Sequence, residues 1–137
     1  MKSDLKSNSF DLEERTAKLG ENIIDFCKTI KKDVFTLSII KQVIRSCTSV
    51  GANYMEANGA SSRKDFRNKI YICKKEIKET KHWLRMLVRV LPEERDKIKI
   101  LWQESEELTK IFGKITYTLD NKDNHNKTDI GNWIIGY

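Results

Sequence analysis

Residues 66–91 read FRNKIYICKKEIKETKHWLRMLVRVL, and their apolar spacing indicates one long amphipathic helix. Apolar or small side chains recur alternately four and three residues apart along the whole stretch: Phe66, Ile70, Cys73, Ile77, Thr80, Leu84, Leu87 and Leu91. This spacing puts them all on one helix face, as an a/d seam that lasts for more than three heptads. A seam of this kind is typical of helices that pack side by side.

Three other segments show helical spacing. We predict helices at about 10–32, 36–58, 62–91 and 93–119. Ser61 or Ser62 is placed to cap the third, and Pro92 suits the first position of the fourth. Long helices joined by short connections favour antiparallel neighbours. The sequence therefore predicts an all-α, up-down four-helix bundle in residues 1–119.

The composition suits a single domain of 137 residues with one proline and six glycines. Three cysteines without paired spacing (Cys27, Cys47 and Cys73) indicate reduced thiols, and neither a signal peptide nor a long apolar run is visible. We therefore expect a soluble, cytoplasmic protein without a membrane partner. Residues 120–137 are rich in Asn and Asp and end in an apolar GNWIIGY, and we predict a flexible tail there.

The positive charge is concentrated on the third helix. Residues 62–91 contain ten basic and three acidic residues, a net +7, so the total of +6 leaves −1 for the remainder. At about 100° per residue, most of these cations and one tyrosine fall in an arc of roughly 80°. We call this set the basic stripe: Arg63, Arg67, Tyr71, Lys74, Lys78, Lys81, Arg85 and Arg89.

Two interpretations of the basic stripe remain open. It can follow a phosphate backbone, with Tyr71 or His82 stacking on a base. Alternatively, it is a solvated face whose charges are relieved by acids on a neighbouring helix or subunit, for which Glu104, Glu106 and Glu107 are candidates.

A third face of the same helix is apolar and points away from both the seam and the basic stripe. It consists of Ile72, Trp83, Met86 and Val90. Exposed residues of these types mark an interface. We predict self-association through them; the alternative is a wide core that also covers Trp83.

The sequence shows no catalytic constellation. Its two histidines are far apart, each cysteine lies on an apolar face, and neither a zinc or di-iron motif nor a glycine-rich phosphate loop is present. We predict no metal, no cofactor and no enzymatic activity.

The segment SVGANYMEANGASSRKDF, residues 49–66, resembles a bacterial family signature. The family is that of four-helix-bundle proteins encoded in intervening sequences of large-subunit rRNA. The matching positions are Ser49, Val50, Asn53, Tyr54, Glu56, Ala57, Ser62, Asp65 and Phe66. The chain departs from the signature at Gly51, where members often have proline, and at Ala57, where many have glycine; Gly51 is compatible with a local bend.

The resemblance implies a homopentamer with a basic surface. A related branch, the accessory variability determinant of diversity-generating retroelements, works with a reverse transcriptase and nucleic acid. Asn53, Glu56, Ser62, Asp65 and Phe66 are then shared family residues, with a structural role at the junction of helices 2 and 3 or, for the polar ones, a ligand contact.

Two functions follow as hypotheses. The first is a homo-oligomeric accessory protein that binds RNA or DNA through the basic stripe, alongside a reverse transcriptase or another protein. The second is a protein-interaction scaffold without nucleic acid, in which the terminal NWIIGY is either a docking peptide or folds back onto the bundle.

Overall fold

The protein consists of four helices in the computed structural model, which describes the backbone of residues 2–134 and the side chains of residues 11–122. The helices are α1 (Lys2–Lys28), α2 (Val34–Asn58), α3 (Arg63–Val90) and α4 (Arg95–Ile134). A short 3-10 turn, Pro92–Glu94, precedes α4. No strand occurs between residues 2 and 134. The predicted all-α, four-helix architecture is confirmed.

Two side-chain caps define where α2 and α3 begin. The Asp33 carboxylate accepts from the backbone N–H groups of Phe35 and Thr36, and the Thr36 hydroxyl accepts from the Asp33 N–H, which completes a capping box. The Ser62 hydroxyl accepts from the Asp65 N–H at 3.0 Å. The predicted cap of α3 is therefore Ser62.

The core lies along the seam of α3. That helix packs against both α2 and α4, and α1 packs on α2 with a smaller contact to α4. Most predicted seam residues of α3 are completely buried, whereas Phe66 is partly buried and packs against the core. Burying large apolar side chains of this kind contributes about 1.5–3 kcal/mol each, so this seam makes a substantial contribution to stability.

One polar pair interrupts the apolar core between α2 and α3. The Thr80 hydroxyl lies 2.9 Å from the Ser46 hydroxyl oxygen, and both residues are fully buried. The Ser46 hydroxyl in turn donates to the carbonyl of Val43, and Thr80 also lies 2.9 Å from the carbonyl of Glu76. These buried hydroxyls are thus hydrogen-bonded, as the interior of a protein requires.

Several predicted boundaries were wrong. Pro92 opens the 3-10 turn rather than α4 itself. The first helix begins eight residues earlier than predicted, at Lys2, and ends at Lys28. Gly51 causes no break, because α2 is continuous through it.

The fourth helix is longer than predicted. It extends beyond Asp120 to Ile134, where composition had predicted a tail. Ile98, Leu108 and Phe112 are completely buried, together with the small polar residues Ser105 and Thr116, whereas Ile111 and Ile115 are only partly buried. The side chains of the terminal NWIIGY lie outside the described residues.

No helix in the described part of the chain is long and apolar enough to cross a membrane.

Candidate nucleic-acid interface

Two of the acidic residues of α3 form ion pairs with α2. Arg45 of α2 forms ion pairs with Glu76, at 3.1 Å, and with Glu79. On the same side, Lys69 lies 2.6 Å from Glu56 of α2. Because Arg45 engages two of the three acids of α3, these acids are directed away from the basic stripe.

In the N-terminal part of the basic stripe, a cation forms an ion pair with a residue of α4. Arg67 Nη2 lies 2.6 Å from the Asp120 carboxylate, and the Tyr71 hydroxyl donates to the same group at 2.5 Å. The Arg67 guanidinium lies over the Tyr71 ring, with Cζ 4.9 Å from the ring centroid, and Lys74 Nζ is 5.8 Å from that centroid. We call these four residues the Asp120 cluster.

The charges of the Asp120 cluster shift the pKa values of two members. The hydrogen bond from Tyr71, and then that from Arg67, lowers the pKa of the Asp120 carboxyl. The same bond to Asp120 raises the pKa of the Tyr71 phenol. At neutral pH the cluster therefore contains an ionised carboxylate and a protonated phenol.

A second ion pair between the basic stripe and α4 involves Lys81, in the middle of the stripe. Its ammonium group pairs with Glu106 of α4 and lies 5.2 Å from the ring centroid of Trp102. The hydrogen bond from Lys81 lowers the pKa of the Glu106 carboxyl. Trp102 is 37% exposed, so one side of this aromatic ring system remains accessible.

Of the three acids proposed to relieve the basic stripe, only Glu106 does so. Glu104 and Glu107 instead pair with Arg15 of α1, each at 2.9 Å. Relief by acids of a neighbouring helix therefore applies to Lys81, through Glu106, and to Arg67, through Asp120.

Three exposed cations of the basic stripe form what we call the open row. Lys78, Arg85 and Arg89 are exposed and form no ion pair with any residue whose side chain is described. Arg63 is exposed at the start of α3. The exposed His82 ring lies edge-on to Trp83, 4.9 Å between centroids, whereas the Tyr71 predicted to stack on a base already carries Arg67 and Asp120.

The residues of the family signature make structural contacts at the junction of α2 and α3. The Asn53 amide donates to the carbonyl and the hydroxyl of Ser49, at 2.8 and 3.0 Å. Glu56 binds Lys69 across the two helices, Ser62 caps α3, and Phe66 packs against the core. The structural role of these residues stays a prediction.

The predicted oligomer interface is less exposed than expected. All four residues are partly buried, and Trp83 and Val90 pack against the core, so the premise of an uncovered face is wrong for these two. Ile72 and Met86 flank them. The large apolar side chains with the greatest exposure lie elsewhere: Val34, Phe35, Leu37, Met55, Ile100, Trp102 and Tyr117.

The three cysteines are buried, as predicted. Burial raises the pKa of the Cys27 thiol to about 11 and those of Cys47 and Cys73 to about 12. Since the thiolate is the nucleophile, these thiols are inert at neutral pH. No group of three or more His, Cys, Asp or Glu residues among residues with described side chains has a geometry that could hold a metal ion.

Residues 9–114 match the profile of a family described as 23S rRNA-intervening sequence protein. The chain belongs to this family. The match agrees with the resemblance seen in residues 49–66. A crystal structure of a protein of unknown function, from the S23 ribosomal protein family of Bacteroides thetaiotaomicron, is 33% identical to the chain with a TM-score of 0.68. The alignment covers 77% of this chain and 97% of that one. The comparison with curated proteins gives no match.

Two residues that contact the basic stripe were not identified as such from the sequence. Asp120 lies outside the matched range and was assigned to a tail, although it projects from α4 toward the basic stripe. Trp102 is an exposed residue of α4, and the apolar spacing did not assign it to any face. The helical continuation of the Ile115 and Leu119 spacing through Asp120 was the available signal for the first of them.

Proposed function

We propose that this chain is a non-enzymatic, homo-oligomeric accessory protein of the cytoplasm that binds nucleic acid through α3. The observation that supports the proposal best is the open part of the basic stripe. Lys78, Arg85 and Arg89 are exposed cations without ion pairs among the described side chains. A cation without an internal partner is available to an external phosphate.

The open cations are also well arranged for a polyanion. At 100° and 1.5 Å per residue, Lys78, Arg85 and Arg89 lie within about 40° of one another along roughly 17 Å of α3. Phosphates of one nucleic-acid segment can contact such a row together. Trp102, exposed beside Lys81, offers a ring on which a base can stack.

Self-association enlarges this surface. The resemblance to the retroelement accessory branch supports a homopentamer, and exposed apolar residues such as Val34 and Phe35 are suited to contact between subunits. Each subunit of a ring contributes one row of open cations. A reverse transcriptase is a protein partner consistent with that resemblance.

The test compares two triple charge variants with the original chain in a salt series, with labelled structured RNA and duplex DNA as ligands. The triple variant Lys78→Gln, Arg85→Gln, Arg89→Gln removes the open row. We expect it to bind more weakly than the original chain. The slope of log affinity against log salt should become shallower by roughly 2–3, because about 0.7–0.9 is lost per phosphate contact.

The matched control removes three exposed cations from elsewhere. Lys28, Lys31 and Lys41, all exposed on α1, α2 or the segment between them, are changed to Gln, which alters the net charge equally. The control should retain most of the slope. Equal effects in the two triple variants, or no binding by the original chain near 50 mM salt, would contradict the proposal.

A second candidate function is a scaffold for proteins, and a groove between α1 and α2 favours it. The groove has a volume of about 350 Å³ and is lined mainly by small and apolar residues, among them Ala17, Gly20, Ile24, Ala52 and Met55. Ala52→Arg should obstruct the groove without reaching the basic stripe. Loss of a purified reverse transcriptase partner in this variant, with RNA binding retained, would favour the scaffold.

A further inference from the structure

The Asp120 cluster has the composition of an anion site. A guanidinium, a phenol hydroxyl and an ammonium group converge from successive turns of α3, at Arg67, Tyr71 and Lys74. Charged and polar donors of these kinds are those that bind phosphate oxygens. In the structure Arg67 and Tyr71 hold the carboxylate of Asp120, and Lys74 lies beside the Tyr71 ring.

The cluster lies in line with the open row of cations. At 100° per residue, Arg67 and Arg85 project in almost the same direction from α3, with Lys78 about 20° away. Together with the open row, the cluster extends over roughly 33 Å of helix, from Arg67 to Arg89. A nucleic-acid strand on the open row therefore passes the cluster if it continues along α3.

Asp120 is held in the cluster by polar contacts rather than by burial. Its side chain is 41% exposed and that of Arg67 is 38% exposed. It lies on the part of α4 beyond residue 114, where the match to the family ends. Its neighbours Asn121 and Lys122 are exposed, whereas Leu119 on its other side packs against the core.

We propose that Arg67, Tyr71 and Lys74 form a phosphate-binding subsite that Asp120 of the same chain occupies in the absence of nucleic acid. A phosphate of the bound strand displaces the carboxylate and takes its place between Arg67 and Tyr71. The subsite lengthens the contact with the strand, while Asp120 acts as an internal competitor that weakens binding. This inference rests on the proposed function, because the displacing group belongs to the nucleic acid bound by α3.

The decisive variant is Asp120→Asn, measured with a labelled single-stranded RNA in a salt series. Removing the carboxylate charge frees the subsite, so the variant should bind more tightly than the original chain, by about threefold or more near 0.1 M salt. The salt slope should become steeper by up to roughly 0.7, because in the original chain the displaced carboxylate takes up a cation that offsets one released from the strand. Adding Arg67→Gln to this variant should return the slope to its original value.

The matched control is Glu107→Gln, which removes one negative charge from the face of α4 that contacts Arg15 of α1. It should change the affinity by less than about twofold and leave the salt slope unchanged. Far-UV circular dichroism on each variant confirms that the helices persist.

The outcomes separate the inference from the proposed function. If Asp120→Asn behaves like Glu107→Gln while the original chain binds RNA through Lys78, Arg85 and Arg89, the subsite is refuted and the nucleic-acid function stands. If neither the original chain nor Asp120→Asn binds RNA near 50 mM salt, both are refuted. Tighter binding with a steeper slope in Asp120→Asn alone supports the subsite.

Discussion

At the scale of single residues, Gly113 is a position where a substitution should stabilise the fold. It lies in the middle of α4, and a Cβ built there meets nothing within 4 Å. Glycine inside a helix costs about 0.5–1 kcal/mol relative to alanine because the unfolded chain is more flexible. Gly113→Ala should therefore raise the free energy of unfolding in urea by that amount. A decrease would show that α3 needs the open space beside this position.

Asp120 provides a residue-scale prediction about pH. Its pKa is lowered by the hydrogen bond from Tyr71 and by Arg67, with a smaller effect from Lys74. A lowered pKa means that the ionised form is favoured in the folded state. The stabilisation is thus complete above the unfolded pKa, about 3.9, and is lost as the pH falls through the lower folded value.

The measurement for Asp120 is an NMR titration of its side-chain carboxyl carbon. We expect a midpoint below the ordinary aspartate value in the original chain. Tyr71→Phe should move the midpoint upward, because it removes the hydrogen bond with the largest effect. An unchanged midpoint in that variant would show that Tyr71 does not bind the carboxylate in solution.

At the scale of helices, the contact between α2 and α3 depends on Arg45. The Glu76 side chain is only 7% exposed, and its cationic partners are Arg45, at 3.1 Å, and Lys75, at 3.7 Å. A buried acceptor left without its partner costs about 1–3 kcal/mol. Arg45→Met should reduce the free energy of unfolding by this order, and adding Glu76→Gln should recover part of the loss.

The control for Arg45 is Lys41→Met, a change at an exposed lysine one turn earlier in α2. It should alter the free energy of unfolding by no more than about 0.5 kcal/mol. If the two single variants were equally stable, the ion pair with Glu76 would contribute nothing measurable.

How far the helices could be predicted depended on how apolar their seams are. The seam of α3 has large apolar residues at nearly every a and d position, so its burial followed directly from the spacing. In α4 the corresponding stripe includes Ser105 and Thr116, and polar residues of this size weaken the periodicity that identifies Phe112 as central. The contacts of Asp120 with α3 are tertiary, and local composition does not encode them.

At the scale of the whole molecule, the exposed apolar side chains give a test of the proposed self-association. Val34 and Phe35, at the start of α2, are 82% and 70% exposed, which is more than any residue of the predicted α3 interface. If the chain assembles through this end, Phe35→Glu should lower the mass of the oligomer measured by light scattering. The loss follows from placing a charge in an apolar contact.

The comparison variant for assembly is Met86→Glu, on the predicted α3 interface. A loss of mass in this variant alone would restore the original prediction, and a loss in neither would place the contact elsewhere. Far-UV circular dichroism distinguishes dissociation from unfolding. Thermal unfolding of both variants should remain cooperative, because both side chains lie outside the buried core.

The charge distribution of the molecule could be predicted from the sequence only in part. The residue count assigned the excess positive charge to α3, and the helical spacing placed that charge on one side of the helix. Which cations are neutralised depends on the stagger between α3 and its neighbours. That stagger pairs Lys81 with Glu106 and Arg67 with Asp120, and leaves Arg85 open. A single helix carries no information about this stagger.

The Ser46–Thr80 pair in the core bears on the register that α3 adopts against α2. If α3 slid by one turn along α2, the two hydroxyls would separate by about 5.4 Å and each would face apolar side chains. An uninterrupted heptad seam would tolerate such sliding, whereas this one has a single preferred register. The surface presented by α3 is therefore rigid, and every copy of the chain displays the same pattern of charges. Under the proposed function, strands whose phosphate spacing already matches this pattern should bind in preference to strands that must deform to match it.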